Sequence, residues 1–206
     1  MKKIVLVLIL LNVAGASFSQ EEKKQFIHKG LVRSMATIAS GTMLKQNVST
    51  ISIHGTLEYY ISDNISIRGD SYYFLQSKHN YGYVIPDPYF FEFNHSTFSG
   101  ASYHFSTKNH FDYYLAIEPG IGITKRAGGV DCQAWLCEPS GSSSVNPLFS
   151  SAFGFNYYFQ KLFHLFGEAR YIAGKHLSEA QTPLSLNELR FSFGLGFNLS
   201  VFKPKN

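Results

Sequence analysis

The chain has 206 residues, a length for one domain or at most two. Apolar residues make up 45%, charged residues 16% and aromatic residues 16%, a profile that excludes an intrinsically disordered protein. With Lys2 and Lys3 set aside, sixteen basic groups face fourteen acidic ones, too even a balance for a nucleic-acid partner.

The first element in chain order reads as an export signal. Lys2 and Lys3 precede an apolar run over 4–13, broken only by Asn12, and small residues over 14–20 suit a signal peptidase. Cleavage fits after Ala16 or after Ser19, so 1–19 is expected to be signal and 20–206 the folded domain. The run is roughly half the ~20 apolar residues a membrane-crossing helix needs. No Cys stands near the cleavage region to carry a lipid anchor, and no later window is long and apolar enough for a spanning helix.

Beyond the signal, large apolar residues alternate with small or polar ones, the period of two that marks strands with unlike faces. Strands are predicted over 29–41, 50–61, 65–77, 96–106, 111–126, 148–159, 163–174 and 189–201. In the fifth, Phe111, Tyr113, Leu115, Ile117, Pro119, Ile121 and Ile123 oppose Asp112, Tyr114, Ala116, Glu118, Gly120, Gly122 and Thr124. In the eighth, Phe191, Phe193, Leu195, Phe197 and Leu199 oppose Arg190, Ser192, Gly194, Gly196 and Asn198. The connections 62–64, 107–110 and 160–162 are short, while 42–49, 78–95, 127–147 and 175–187 are long. This alternation predicts an up-and-down meander with four long loops at one end and both chain ends at the other.

The polar faces carry charges of both signs: Arg68, Arg170 and Arg190 against Glu58, Asp70, Glu118, Glu168 and Glu188. Such a set can neutralise itself in an enclosed space. Without a spanning helix, only a closed barrel satisfies its backbone groups in lipid, and eight strands of about 9–11 spanning residues suffice. A 16-stranded pore would leave about 12 residues for each strand and connection, with no room for these loops. The fold class expected is therefore all-β, an eight-stranded antiparallel up-and-down transmembrane barrel, its interior filled by an ion-pair network of Glu58, Arg68, Asp70, Glu118, Glu168, Arg170, Glu188 and Arg190. Tyr59, Tyr60, Tyr72, Tyr73, Tyr113, Tyr114, Tyr157, Tyr158 and Tyr171 fall near strand ends, where interfacial girdles belong. The same alternation fits a soluble secreted barrel around an apolar ligand if the two faces are exchanged.

The segment Ser192-Phe193-Gly194-Leu195-Gly196-Phe197-Asn198-Leu199 is similar to the final-strand signal read by the barrel-assembly machinery, and Phe166-Gly167-Glu168-Ala169-Arg170-Tyr171 looks like a strand common in the same proteins. On these residues the chain resembles the small eight-stranded outer-membrane β-barrels of Gram-negative bacteria, the class of the outer-membrane protein A, X and W types. Such chains often stop at a terminal aromatic, whereas this one runs on to Lys203-Pro204-Lys205-Asn206. The resemblance implies an outer-membrane location with both termini periplasmic, and contact with outer-membrane lipid, lipopolysaccharide and the assembly machinery. It implies a non-enzymatic barrel that displays loops for adhesion, recognition or envelope integrity. The alternatives are a narrow channel for small hydrophobic molecules, as in the protein W types, or lipid A deacylation.

Candidate sites follow from the loops. Cys132 and Cys137, the two cysteines, lie in the longest loop, and export favours a disulfide around Trp135. A metal site there would have Asp131 and Glu138 as its only further ligands, and neither a metal nor a cofactor is expected. Tyr81, Tyr83, Tyr89, Phe90 and Phe91 make an unusually aromatic loop which, with Trp135, offers an extracellular ligand a binding surface. The competing reading is a loop that packs on itself. His176 and Ser178 with Glu188 resemble the His-x-Ser and downstream Glu of lipid A deacylases, although Glu179 stands where that family carries Asn.

Overall fold

The structure, a computed structural model, describes residues 26–79, 91–105, 110–127, 142–177 and 184–200. Every regular element among them is a strand: β1 (Leu31–Met43), β2 (Val48–Tyr60), β3 (Ile65–His79), β4 (Phe91–His104), β5 (Phe111–Arg126), β6 (Ser144–Tyr158), β7 (Phe163–Gly174) and β8 (Glu188–Ser200). Each pairs antiparallel with its sequence neighbours, and β8 pairs with β1, so the sheet closes with no free edge. The chain is an all-β, eight-stranded, up-and-down barrel.

Closure fixes the dimensions. The register runs from Val32 through Tyr59, Ile67, Ala101, Ile117, Ser151, Tyr171 and Leu189 and returns to β1 at Thr42, ten residues further on. With eight strands, that stagger corresponds to a tilt of roughly 40° and a radius of about 8 Å, which side chains alone can fill. Strands of 12 to 16 residues then span roughly 30–40 Å along the axis, more than the ~25 Å apolar band of a membrane barrel.

The period-two pattern decides which face goes where. Ile53, Leu57, Ile67, Leu115, Ile117, Phe149, Phe153, Phe191, Phe193 and Phe197 all point outward and are exposed. The charged and hydroxyl faces point inward and are buried. A soluble barrel has the opposite arrangement, because about 25 cal/mol is gained per Å² of apolar surface removed from water. Around this outer face only a hydrocarbon phase removes it.

Several expectations are corrected. The link between the first two strands is a four-residue turn, 44–47, rather than a long loop over 42–49, because Met43 and Val48 continue the alternation and pair with each other. Asn47 closes the turn at φ 50°, a left-handed conformation Asn tolerates. The fourth strand begins at Phe91, five residues before the predicted start, which turns Phe91 from an exposed loop aromatic into a buried lumen side chain beside Phe74. The tyrosine girdle is halved. Neighbours in a strand face opposite sides, so of the pairs 59/60, 72/73, 113/114 and 157/158 the members Tyr60, Tyr72, Tyr114 and Tyr158 lie buried inside.

The interior is layered. At the end of the short connections, Ile27 packs with Leu31, Tyr60 and Tyr158 beneath the ions. At the loop end, Met43, Val48, Phe74, Phe91, Leu148, Ile172 and Leu186 form an apolar layer above them. One seam departs from regularity: the β3–β4 ladder stops at Tyr72–Ser96, although β3 continues to His79 and β4 begins at Phe91. Register shifts in β2–β3 at Ile51/Ser52 and in β4–β5 at Phe91/Phe93 accompany the split. Both described chain ends, at β1 and β8, meet at the end of the short connections, where Leu31 pairs with Ser200.

Candidate functional site

The densest chemistry lies in the middle of the lumen. Arg68 lies inward on β3 and bonds Asp70 twice, at 2.8 Å from Nε and 2.8 Å from Nη2. Nη2 also donates to Glu168 Oε2 at 2.7 Å, and Glu118 Oε1 lies 3.3 Å from Nε. Arg170 on β7 reaches the same three carboxylates, with 3.0 Å to Asp70 Oδ2, 3.0 Å to Glu168 Oε1 and a close contact with Glu118. Two guanidinium groups thus bind three carboxylates drawn from β3, β5 and β7. Tyr114 donates to Glu168 at 2.8 Å, and its ring lies under Arg68 at 5.2 Å from centroid to Cζ.

Two smaller groups flank this centre. Toward the short connections, Arg33 contacts Glu58, Asp112 at 3.4 Å and the Tyr158 hydroxyl at 2.9 Å. His104 bridges the same two carboxylates, with Nε2 3.0 Å from Glu58 and Nδ1 2.9 Å from Asp112. Toward the loops, Arg190 donates to Glu188 at 2.7 Å and to Ser96 at 2.8 Å, and its guanidinium lies over the Tyr72 ring at 4.4 Å.

Seven of the eight sequence-predicted network residues interlock in the central and upper groups, and Glu58 belongs to the lower one. The sequence reading missed Arg33, Asp112, His54 and His104. Arg33 sits on the first strand, whose alternation is blurred by Thr37 and Ala39 facing inward. Asp112 is visible on the polar face of the fifth strand but had no partner in view. The two histidines stood among eight scattered ones, and strand register rather than sequence spacing places them beside carboxylates.

A lumen this full has limited chemistry. His54, Asp70 and Glu168 bring ligand atoms within 4.8 Å of one another, the spacing of a metal trio. Yet Asp70 Oδ1 already accepts from Arg68 at 2.8 Å, His54 at 2.7 Å and Thr56 at 2.6 Å, so no lone pair is left for a cation. Of the hydrolase candidates, the two that lie among the described residues are bonded to different partners. Glu188 is bonded to Arg190 and Thr50, whereas His176 Nδ1 is bonded to Thr124 at 2.6 Å on the opposite side of its own strand pair. Burial and the nearby Arg126 lower the pKa of His176. Ser178, Cys132, Cys137, Trp135, Tyr81, Tyr83, Tyr89 and Phe90 lie outside the described residues, as does the 1–19 segment.

An apolar exterior, a closed antiparallel wall and an ionic lumen define the class: the fold of the small eight-stranded outer-membrane β-barrels. No protein-family model and no curated protein matches the sequence. Among solved structures, the chain is similar to Neisserial surface protein A, with 15% identity, a TM-score of 0.52, and coverage of 82% of this chain and 96% of that one. It is also similar to the outer membrane protein OprG from Pseudomonas aeruginosa, with 11% identity, a TM-score of 0.56, and coverage of 86% and 99%. At such identities the likeness is one of fold.

Proposed function

We propose that the chain is a non-enzymatic integral barrel of a Gram-negative outer membrane, with both ends in the periplasm and the longer connections displayed outside for adhesion, recognition or envelope integrity. The observation that carries this reading is the lumen: three ion-pair groups in succession, buried to within a few per cent, fill the bore, so that a partner is met by the outward connections rather than by the interior. Lipid, lipopolysaccharide and the assembly machinery are the partners this reading requires. The test is surface protease treatment of intact cells. Cleavage at the loop segments 80–90, 128–141 or 178–183, with the turns 61–64 and 159–162 untouched, supports the proposed orientation. Cleavage at those turns alone would reverse it.

A second reading, passage of small hydrophobic molecules, draws on the apolar layer at the loop end and the split beside it. The ion pairs below close the axial path, so such passage would leave sideways. Uptake of a hydrophobic dye by vesicles carrying the barrel, compared with empty vesicles, tests it.

A further inference from the structure

We infer that residues 26–30 form a strap across the mouth of the barrel at the end of the short connections. It pivots on Gly30, and its release admits water to the group of Arg33, Glu58, His104 and Asp112. The inference goes beyond the function proposed above and holds for either orientation in the membrane.

Instead of trailing away from β1, the segment folds back over the bore. Ile27 is fully buried and packs with Leu31, Tyr60 and Tyr158. Tyr60 ends β2 and Tyr158 ends β6, four strands apart in a ring of eight, so this layer reaches from one wall to the opposite one. The segment is tied to the rim at separate points. Phe26 stacks on Tyr158 with 5.4 Å between ring centroids and tilts against His110 at 5.0 Å. His28 Nε2 is hydrogen-bonded to Ser200 Oγ, at the end of β8, at 3.0 Å. The Lys29 N–H donates to Asp63 Oδ1, in the turn between β2 and β3, at 3.0 Å.

Directly behind this layer lies the lower ion-pair group. Arg33 Nη1 donates to the Tyr158 hydroxyl at 2.9 Å, and its guanidinium lies 5.5 Å from the centroid of the Tyr60 ring. Arg33, Glu58, His104 and Asp112 are all fully buried, although each stands within three residues of an end of its strand. Charges so near a rim stay dry only under a cover, because an ion keeps its water unless something takes the water's place. Phe26 and Ile27 supply that cover beneath the tyrosines.

The attachment allows the strap to move by itself. Gly30 has φ 85°, a left-handed conformation that glycine adopts at no steric cost, and there the chain turns from the mouth into β1. The Gly30 N–H donates to the Tyr60 carbonyl at 2.8 Å, and the Leu31 N–H to the His28 carbonyl at 3.1 Å, which fixes the pivot to the wall. Ahead of the pivot the grip is one fully buried side chain, the Phe26 ring contacts and the two exposed bonds of His28 and Lys29. Each seam of the wall, by contrast, is a backbone ladder. Segments with few buried apolar contacts and exposed hydrogen bonds open locally while the rest stays folded. The strap therefore opens without the barrel.

The test uses the full mature barrel in detergent micelles, where both mouths are reachable, with folding checked by heat-dependent gel mobility. In a Cys132→Ser, Cys137→Ser background, Leu31→Cys places one thiol against Ile27, and its rate of reaction with a charged, water-soluble methanethiosulfonate is recorded. The thiol should react slowly while the strap is intact. Phe26→Ser with Ile27→Asp should speed the reaction at least about tenfold, the factor for losing one buried aliphatic side chain. His28→Ala, which removes the tie to Ser200, should speed it about two- to tenfold, the factor for one hydrogen bond. Hydrogen exchange of the unaltered barrel needs no substitution: the Lys29 and Gly30 amides should exchange faster than the β1 amides that follow. Reaction of Leu31→Cys at the rate of a free thiol with the strap intact, unchanged slow reaction in both folded strap variants, or Lys29 and Gly30 amides as protected as those of β1 overturns the inference.

Discussion

Removing Arg170 is the sharpest perturbation of the lumen. Its guanidinium donates to Glu168 at 3.0 Å and Ser150 at 2.9 Å, lies 3.0 Å from Asp70 as an ion pair, and contacts Glu118. Arg170→Met conserves bulk but leaves Asp70, Glu118 and Glu168 facing Arg68 alone. Deleting one partner of a buried ion pair costs about 3–5 kcal/mol, because a buried charge is left uncompensated. At about 2 kcal/mol per molar urea, that moves the unfolding midpoint down by roughly 2 M. The assay is equilibrium unfolding of barrels in liposomes across a urea series, scored by the fraction that keeps folded mobility in unheated gels. Adding Glu118→Gln should restore part of the loss by removing one of the stranded carboxylates. A midpoint shift below about 0.5 M for Arg170→Met would refute the ion-pair account of the lumen.

Other outcomes follow from the same geometry. Lys125→Ala breaks an ion pair whose side chains are 28% and 51% exposed, so it should cost at most about 1 kcal/mol in the same urea series. Gly100→Ala should cost about 1–3 kcal/mol, since a Cβ there would run into the Ile117 carbonyl oxygen and β4 would have to move off β5. Ile117→Arg, on the outer face, should destabilise the barrel by about 2–4 kcal/mol if the residue sits near the bilayer midplane, as liposome unfolding would read. In planar bilayers the barrel should give no steady current steps, because the ion-pair groups occupy the bore. Lipid A from cells producing the chain should have unchanged mass, with Ser178→Ala indistinguishable from wild type; loss of an acyl group that depends on Ser178 would revive the hydrolase reading.

Strand number, order and facing were legible because period two survives wherever lipid and lumen make opposite demands, as on Phe111–Arg126. Boundaries were legible only where the alternation was strong. The fourth strand was placed too late because its first residues, Phe91 to His95, mix aromatic and polar side chains at a bulge. Adjacent tyrosines read as a girdle, since composition does not say which of two neighbours faces inward. Charges on the polar faces pointed to a neutralising lumen, but their partners depend on a ten-residue stagger that no single strand records. That stagger brings Arg33 on β1 to Asp112 on β5, across the bore. The early end of the β3–β4 ladder had no sequence signal that we recognised; it coincides with bulges in the two flanking pairs, β2–β3 and β4–β5.

The central claim is that the apolar face meets hydrocarbon and the charged face does not. It is tested most directly by single tryptophans in a Trp135→Phe background, reconstituted with brominated lipids. Phe193, 64% exposed, and Phe166, fully buried, lie on adjacent strands with opposite facing. Phe193→Trp should be strongly quenched and Phe166→Trp should not. Quenching at Phe166→Trp alone, or at neither site in protein that is folded and vesicle-bound, would contradict the account.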